Sequence, residues 1–460
     1  MLNVKYHVEK AVLKQLLGYL RKDPEQHLSS IVSLLRKVDT GKLYTSQFDM
    51  VEELLKEEDN NWVELMTKLT KEVHPHILET IFSNFLLNAS IKGWEEIEKN
   101  REKYGHDIPF TLLIDPTTAC NKKCIGCWAA DYNKALNLSY DELDSLFTQG
   151  KELGIYFYIM TGGEPLIRKT DILKLAKKHN DCVFMIFTNG TLIDEAFCKA
   201  LCEVGNIVPT ISVEGFDDAT DGRRGKGSWE DIKRAMAVMK DNRVPFGFST
   251  CFTTANCDSV LSEAFIDMMI DRGAYFSWYF TFMPIGCGTD TSLMATPDQR
   301  EKLYRTIRHW RETKPIFNMD FWHDAEYVGG CVAGGRRYCH INANGDVEPC
   351  VFCHYSNANI KEVSLIEALG QPLFREYQKN QPFNDNQFRP CPILDNAPKI
   401  AEMVKASGAK STEYVNPEDV DDLVAKTIEY GKTWAKRAEP LWEENLASKA
   451  KVKKQGNTCG

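Results

Sequence analysis

Short apolar runs alternate with amphipathic stretches through the middle of the chain. The amphipathic stretches repeat their apolar residues at helical intervals, whereas the apolar runs have the length of buried strands. Apolar strands that alternate with crossover helices predict a parallel sheet covered by helices. We therefore expect an α/β fold, a partial and open (β/α)6 barrel of the TIM type, with strands at residues 112–115, 155–160, 183–187, 208–213, 247–252 and 276–281.

The two ends of the chain show a different pattern. Residues 1–107 have helical periodicity alone, and the stretch that carries Ile81, Phe82, Phe85 and Leu86 is apolar almost all round. A helix of this kind must be buried against something. It either packs on the barrel or forms a lid over a channel for an apolar substrate. At the other end, residues 416–450 predict an amphipathic helix.

A region rich in cysteine, glycine and asparagine lies between the barrel and this last helix. Residues 341–349 predict a β-hairpin with Asn344-Gly345 as its turn, because this dipeptide readily adopts the positive φ angles of tight turns. The patterns divide the chain into a helical N-terminal region (1–107), the barrel (108–319), a small cysteine-rich domain (320–398) and a C-terminal helix with its tail (399–460).

Composition argues against several classes of protein, among them nucleic-acid-binding, secreted and membrane-spanning proteins. The chain has 460 residues, of which 43% are apolar and 26% charged, and its formal charge of −9 argues against a nucleic-acid partner held by phosphate contacts. We find no signal peptide and no apolar run that could span a bilayer. Fifteen cysteines outside a short, disulfide-dense scaffold indicate a reducing cytoplasm, where thiols can hold oxygen-sensitive metal clusters.

Three cysteines follow the first predicted strand at the spacing C-x3-C-x2-C: Cys120, Cys124 and Cys127. Thiolates are the ligands of iron–sulfur clusters, and this spacing lets one loop wrap around a cluster. Three ligands leave one iron of a four-iron cluster open to a small molecule, as a catalytic zinc site leaves one position open. A structural zinc would need a fourth cysteine or histidine nearby, and none follows closely.

Polar motifs stand at the carboxyl ends of later strands, where sites gather in barrel folds. Paired glycines let the backbone approach a ligand closely, a carboxylate can hold an ammonium group, and a guanidinium can bind a carboxylate with two hydrogen bonds. The candidate ligand-binding residues are Gly162, Gly163, Glu164, Pro165, Thr188, Asn189, Ser212, Glu214, Arg224 and Ser249, with Arg223 as the alternative to Arg224.

The cysteine triplet and the sequence Gly-Gly-Glu-Pro at 162–165 resemble the radical S-adenosylmethionine (SAM) enzymes. Their signature is CxxxCxxC with an aromatic residue before the last cysteine, but here Gly126 stands in that place and the aromatic Trp128 follows Cys127. The resemblance implies that the triplet binds a [4Fe-4S] cluster, that residues 162–165 bind the amino group of SAM, that Arg224 binds its carboxylate, and that the other candidates lie near it. It implies no catalytic side chain beyond the cluster ligands.

Five further cysteines lie in the cysteine-rich region. Cys331, the hairpin glycine Gly345 and Cys350 resemble the opening of the SPASM extension of that family, or of the shorter Twitch extension. A full SPASM extension carries seven cysteines for two clusters, so five cysteines predict one auxiliary [4Fe-4S] cluster. We expect Cys331, Cys350, Cys353 and Cys391 as its ligands, with Cys339 in reserve. A zinc site is the competing interpretation.

The resemblance implies reductive cleavage of SAM to a 5′-deoxyadenosyl radical, which abstracts hydrogen from an unactivated carbon while the auxiliary cluster assists. It also implies a flavodoxin- or ferredoxin-like electron donor. The substrate stays open between a peptide and a lipid or small molecule, and the alternative within the class is the modification or coupling of lipid alkyl chains. Outside the class, an electron carrier or redox sensor would explain the cysteines, but neither the motif at 162–165 nor the six βα units.

Overall fold

A nine-stranded sheet forms the centre of the computed structural model. The model describes residues 12–23, 27–30, 32–33, 36, 49, 52, 55, 60–129, 136–286 and 289–456, so part of the predicted N-terminal helical region lies outside the described residues. The strands are β1 Thr111–Ile114, β2 Phe157–Met160, β3 Val183–Thr188, β4 Ile207–Ser212, β5 Phe246–Phe252, β6 Ala274–Thr281, β7 Phe317–Asp320, β8 Tyr338–Ile341 and β9 Val347–Glu348.

The strand order is β7-β6-β5-β4-β3-β2-β1-β8-β9. Strands β1 to β8 pair in parallel, and only the short β9 runs antiparallel to its neighbour β8. Each of the six predicted strands overlaps one of β1 to β6, so the predicted α/β class with a parallel sheet is confirmed. A separate pair, β10 Tyr355–Ser356 and β11 Lys410–Ser411, is antiparallel.

Amphipathic helices connect the parallel strands and cover the sheet. Their starts follow local sequence: Ser139 accepts a hydrogen bond from the backbone N–H of Glu142, whose side chain accepts from the N–H of Ser139, which is a capping box. The helices from the barrel onward are Tyr140–Glu152, Lys169–Lys178, Glu195–Val204, Asp217–Arg224, Ser228–Asp241, Cys257–Val260, Glu263–Asp271, Pro297–Thr313, Ala325–Val328, Leu365–Leu369, Pro372–Asn380, Pro398–Ser407 and Val420–Gly456.

Strands β7, β8 and β9 extend the sheet beyond the six predicted units. The hairpin of β8 and β9 matches the prediction, with Gly345 at φ +99° in its turn. Strand β8 pairs in parallel with β1, so the cysteine-rich region is built into the same sheet as the barrel. The proposed boundary near residue 319 therefore does not interrupt the sheet, and the domain limits stay a prediction.

The N-terminal helices cover the amino-terminal ends of the strands. They are Asn61–Glu72, Pro75–Phe82 and Trp94–Tyr104, with a π-helical segment Ser83–Gly93 between the last two. The ring of Phe85 meets Phe110, just before β1, and Phe157, the first residue of β2, edge to face. The backbone N–H of His74 donates to the carbonyl of Arg243, which precedes β5, at 2.8 Å.

The polar motifs stand at the opposite, carboxyl-terminal ends of the strands. Ile81 and Phe82 pack against the main core, while Phe85 and Leu86 are each 37% exposed. The lid interpretation of this helix is therefore wrong, and packing on the barrel is what the structure shows. In the part of the chain that the structure describes, no helix combines the length and apolarity needed to cross a membrane.

The C-terminal helix Val420–Gly456 is held by a buried cation. Arg300 is fully buried, pairs with Asp395 at 2.8 Å and lies over the ring of Trp434, with 4.1 Å between its guanidinium carbon and the ring centroid. This contact joins the helix to the barrel helix Pro297–Thr313 and to the loop that follows Cys391. The predicted helix over 416–450 is thus present.

We expect Phe85→Ala to lower the free energy of unfolding by about 1–3 kcal/mol, less than for a fully buried ring because Phe85 is 37% exposed. SAM affinity should not change, because the ring lies at the amino-terminal ends of the strands. Denaturant unfolding followed by circular dichroism and isothermal titration with SAM measure the two effects. Leu86→Ala, at an equally exposed position outside this ring cluster, is the matched control. Loss of SAM affinity in Phe85→Ala alone would restore the lid interpretation.

Candidate functional site

The loop after β1 and the loop after β2 are joined at the carboxyl-terminal edge of the sheet. The backbone N–H of Gly163 donates to the carbonyl of Thr117 at 3.0 Å, and that of Glu164 to the carbonyl of Ala119 at 2.8 Å. A Cβ on Gly163 would lie 2.2 Å from the carbonyl oxygen of Ala119. Only glycine fits this contact, which explains why the second loop carries a glycine here.

Cys120, Cys124 and Cys127 line one cavity of about 180 Å³ with Gly162, Gly163 and Glu164. Burial raises the pKa of Cys120 and of Cys127. Two donors face the sulfurs: the N–H of Lys122 lies 3.5 Å from Cys120 Sγ, and Arg224 Nη1 lies 3.9 Å from Cys124 Sγ. Thiols that share one cavity with hydrogen-bond donors fit the ligand set of an iron–sulfur cluster.

Gly126 explains the departure from the usual cysteine motif. Its φ is +64°, and a Cβ there would lie 2.6 Å from the ring of Phe282. An aromatic side chain at this position would be strained by its backbone and would collide with that ring. The aromatic residue of the loop is Trp128, which lines the same cavity.

Glu164 ties three loops together. Its Oε1 accepts hydrogen bonds from the hydroxyl of Thr188 at 2.8 Å and from the N–H of Leu166 at 3.0 Å, and its Oε2 accepts from the N–H of Asn189 at 2.8 Å. Burial raises the pKa of Glu164, and these hydrogen bonds oppose that shift. The amide of Asn189 in turn donates to the side-chain oxygen of Asn121, at 2.8 Å, in the cysteine loop.

Glu214 holds both candidate arginines. Its carboxylate accepts from Arg223 Nη1 at 2.7 Å and from Arg224 at 2.8 Å (Nε) and 2.5 Å (Nη2). Burial alone would raise the pKa of Glu214, but the two guanidinium groups lower it. Glu214 itself lines a neighbouring cavity, whereas both arginines line the cavity of the cysteines. Glu214 thus lies behind the cavity wall and orients Arg223 and Arg224, which are part of that wall.

Most candidate residues from the sequence meet in this one cavity. Thr188, Asn189, Ser212 and Ser249 lie on its wall, and the hydroxyls of the two serines are 3.4 Å apart. Pro165 is buried at the start of a 3₁₀ turn, and Glu214 lies behind the arginines, so neither lies on the wall itself. The predicted direct contact of these two residues with SAM therefore lacks support from the structure.

Sequence reasoning missed several residues of this wall. Cys251, on β5, lines the cavity, and burial raises the pKa of its thiol to about 11. Its position on the strand that carries Ser249, two residues away and therefore on the same face, was the signal that could have identified it. Apolar side chains close the rest of the cavity: Phe187, Phe280, Phe282, Met283, Val351 and Phe352.

Cys331, Cys350 and Cys391 line a second cavity, of about 220 Å³. Backbone donors face its sulfurs: the N–H of Phe352 lies 3.2 Å from Cys350 Sγ, that of Leu394 lies 3.4 Å from Cys391 Sγ, and the backbone of Ala333 bonds to Cys331. Cys353 is fully buried beside Cys350, in a turn closed by a 2.9 Å bond from its N–H to the Cys350 carbonyl.

Cys339 belongs to a different part of the molecule. It lies on β8 and packs in the core of the barrel, whereas Cys353 packs in the second core with Cys331, Cys350 and Cys391. The structure therefore brings together the four preferred cysteines and separates the one held in reserve. Three thiols on an apolar cavity, with a fourth in the same core and backbone donors beside them, fit an auxiliary cluster.

Phe352 lines both cavities. It stands between Cys350 and Cys353, and its ring lies 5.8 Å from that of Trp322. The second cavity continues from the cysteines to aromatic and apolar side chains of β6, β7 and the following turn: Trp278, Met319, Phe321, Trp322, Ala325 and Val328. One aromatic side chain thus separates the two groups of cysteines.

Comparison with known proteins identifies two regions. Residues 114–260 match the model of the radical SAM superfamily, and residues 331–392 match the iron-sulfur cluster-binding domain named SPASM. An uncharacterized protein of Archaeoglobus fulgidus is 31% identical over 340 residues, which cover 68% of this chain and 79% of that protein. The mycofactocin maturase MftC of Mycolicibacterium smegmatis is 25% identical over 304 residues, which cover 60% and 74%.

The fold also matches a solved structure. Streptococcus suis SuiB bound to S-adenosylmethionine has a TM-score of 0.54 and 16% identity, with 79% of this chain and 93% of SuiB covered, and a second structure shows SuiB bound to the precursor peptide SuiA. The radical SAM domain binds a [4Fe-4S] cluster and SAM, and the SPASM domain binds auxiliary iron–sulfur clusters. The chain is therefore an enzyme that belongs to the radical SAM superfamily, with a SPASM domain after its barrel.

Proposed function

We propose that Cys120, Cys124 and Cys127 hold the SAM-binding cluster, and that Cys331, Cys350, Cys353 and Cys391 hold one auxiliary cluster. The chemistry such a cluster would supply is one-electron reduction of bound SAM, with the electron from an external flavodoxin- or ferredoxin-like donor; SAM would then yield methionine and a 5′-deoxyadenosyl radical that removes hydrogen from an unactivated carbon of the substrate. The observation that carries this proposal is the single cavity in which three thiols, two close-packed glycines and two oriented arginines meet.

The protein's own part in this reaction is to bind and orient SAM. Arg224 would hold its carboxylate, because Glu214 fixes the guanidinium in place while part of it faces the cavity. Among the described residues, Glu164 Oε2 accepts one hydrogen bond, from the N–H of Asn189, and so keeps a lone pair for the ammonium group. The backbone at Gly162 and Gly163 leaves room for the ligand to approach closely, and Ser212 and Ser249 offer hydroxyls nearby.

The apolar side of the cavity would exclude water. Phe280, Phe282, Met283 and Phe352 line the cavity together with the cysteines. A radical formed in a dry, closed site reacts with the positioned carbon instead of with solvent or a stray group. Phe352 also lines the second cavity, so the substrate would approach past this ring from the side of the auxiliary cysteines.

The reactive part of the substrate would be an apolar side chain of a peptide. The second cavity is lined by aromatic rings, Trp278, Phe321 and Trp322 among them, beside the auxiliary cysteines. The likeness to a mycofactocin maturase, and to SuiB with its bound precursor peptide, supports a peptide.

That peptide would insert a side chain and not add a strand. The outer edge of β7 is covered: Arg311 Nε donates to the carbonyl of Asn318 at 2.8 Å, and the N–H of Asp320 donates to Asp324 Oδ2 at 2.9 Å. At the other edge, the N–H of Val347 donates to Ala358, and its carbonyl accepts from Ser356 and Gln371. Strand addition needs such groups to be free.

A lipid alkyl chain is the second candidate. The apolar wall of the second cavity favours it, since that wall offers an alkyl chain as good a surface as it offers an apolar side chain. The N-terminal helices no longer support it, because they lie at the other end of the barrel.

Our prediction for the clusters is about eight irons per anaerobically purified chain, four for each cluster. Replacing Cys120, Cys124 and Cys127 together by alanine should remove about half of the iron and abolish SAM cleavage. Cys339→Ala is the matched control and should keep the full iron content and SAM cleavage of the wild type. Elemental analysis of iron and zinc per chain measures the metal content of each variant. About four irons with zinc in the wild type would contradict the auxiliary cluster.

For SAM binding, Arg224→Ala should weaken affinity roughly ten- to a hundredfold, because a charge-assisted hydrogen bond contributes about 1.5–3 kcal/mol. Iron content should stay at the wild-type value, since Arg224 ligates no iron. Equilibrium binding under anaerobic conditions measures the affinity. Arg234→Ala, whose guanidinium bonds the carbonyl of Ile193 at 3.0 Å outside the cavity, is the control. Equal affinity in the two variants would show that Arg224 does not contact SAM.

The substrate class can be found by isotope transfer. We expect that a peptide fraction from cells grown in deuterated medium, incubated with reduced enzyme and unlabelled SAM, will yield deuterated 5′-deoxyadenosine. The lipid and small-polar fractions of the same cells should yield the unlabelled compound, which mass spectrometry distinguishes. The Cys120, Cys124 and Cys127 triple variant is the control for background. Label from the lipid fraction alone would replace the peptide by an alkyl chain.

A further inference from the structure

A histidine lies buried between two carboxylates at the junction of the two cysteine sites. His340, on β8, has Nδ1 2.5 Å from Glu348 Oε2 and Nε2 3.0 Å from Asp115 Oδ1. The three residues are at most 1% exposed. Asn342 and Thr412 donate to the other oxygen of Glu348, so this carboxylate is held from three sides.

A histidine buried between two carboxylates is costly, so its presence in the sheet requires an explanation. Burial alone would lower the pKa of His340, but Asp115 and Glu348, at 3.0 and 2.5 Å, raise it to about 10, while burial raises the pKa of Asp115. Buried charge networks are often no more stable than apolar residues of the same size, because removing the charges from water is costly. The interior of a barrel sheet is normally filled with branched apolar residues. Stability of the sheet therefore does not account for His340.

The network touches both cysteine loops. Asp115 lies directly against Gly162, where a Cβ would come within 3.0 Å of its side chain. The ring of Trp128, next to Cys127, meets His340 edge to face at 5.6 Å and His354 at 6.1 Å. His354 follows the Cys350–Cys353 turn, and its Nε2 lies 3.0 Å from the carbonyl oxygen of Val351 in that turn. Its Nδ1 lies 2.9 Å from Glu413 Oε1.

We propose that His340 is a positioning residue that holds Trp128, and through it the Cys127 end of the cysteine loop, in register with the Cys350–Cys353 turn. This inference rests on the proposed function of the two cysteine sites. It means that the placement of SAM relative to the auxiliary site depends on a side chain that touches neither SAM nor a cluster. Trp128 is the contact through which the effect passes.

The test uses the reconstituted holoenzyme with His340→Gln. Iron content should stay near the wild-type value, while the change that SAM causes in the electron paramagnetic resonance (EPR) spectrum of the reduced enzyme is diminished. The KM for SAM in 5′-deoxyadenosine formation should rise about 10- to 100-fold, as for loss of groups that orient metal ligands. The matched control is His179→Gln, a buried histidine 2.8 Å from Asp144, packed against Phe147 on the barrel's helical layer.

Trp128 gives the second arm of the test. Trp128→Leu should reproduce the spectrum and KM of His340→Gln, and the double variant should be no worse than either loss alone. If His340→Gln does not fold, Glu348→Gln decides, because it keeps the shape of the side chain that holds Nδ1 of His340 and lies outside the SAM cavity: an altered SAM-dependent spectrum supports the proposal, and an unaltered one overturns it.

Two further results would overturn the proposal: a wild-type spectrum and KM in His340→Gln, or the same changes in His179→Gln, which would mean general destabilisation. Both differ from failure of the proposed function. In that case the wild-type enzyme itself would form no 5′-deoxyadenosine.

Discussion

The contact between the loop after β1 and the loop after β2 is the constraint on which the site depends. Gly163 lies so close to the carbonyl of Ala119 that any side chain would collide with it. Two backbone hydrogen bonds then fix the cysteine loop against the sheet. Glu164 extends the same contact to Thr188 and Asn189, and Asn189 returns to Asn121. The cysteines are thus positioned by backbone geometry, before any cluster contributes.

Much of the fold and most of this site could be predicted from the sequence, because strands β1 to β6 are apolar and their motifs follow at once. The rest carries a weaker signal. Strand β7 reads Phe317-Asn318-Met319-Asp320, and β8 contains a histidine, so neither resembles a buried strand in sequence. Glu214 stands in a motif that suggests ligand contact, but the fold returns Arg223 and Arg224 onto it from the next helix. Contacts of this kind depend on tertiary structure and not on local pattern.

The position of the auxiliary cysteines follows from strand order. Strand β8 pairs in parallel with β1, so the chain on both sides of β8, with Cys331 before it and Cys350 after it, lies next to the strand that leads into the cysteine loop. Cysteines more than two hundred residues apart in the chain are thereby brought to adjacent cavities, separated by Phe352. Strand β9 turns back antiparallel along β8 and places Glu348 opposite His340, so Cys350, two residues later, lies beside Tyr338 at the start of β8.

Register makes this arrangement specific. In the β1–β8 pair, Leu113 stands opposite His340, so that Asp115, two residues further on, is close enough to form the ion pair. A slip of one residue would turn His340 to the other face of the sheet and leave both Asp115 and Glu348 buried without a cation. Such uncompensated charges are far more costly than a paired triad. The network of His340, Asp115 and Glu348 therefore disfavours a one-residue slip of β8 against β1.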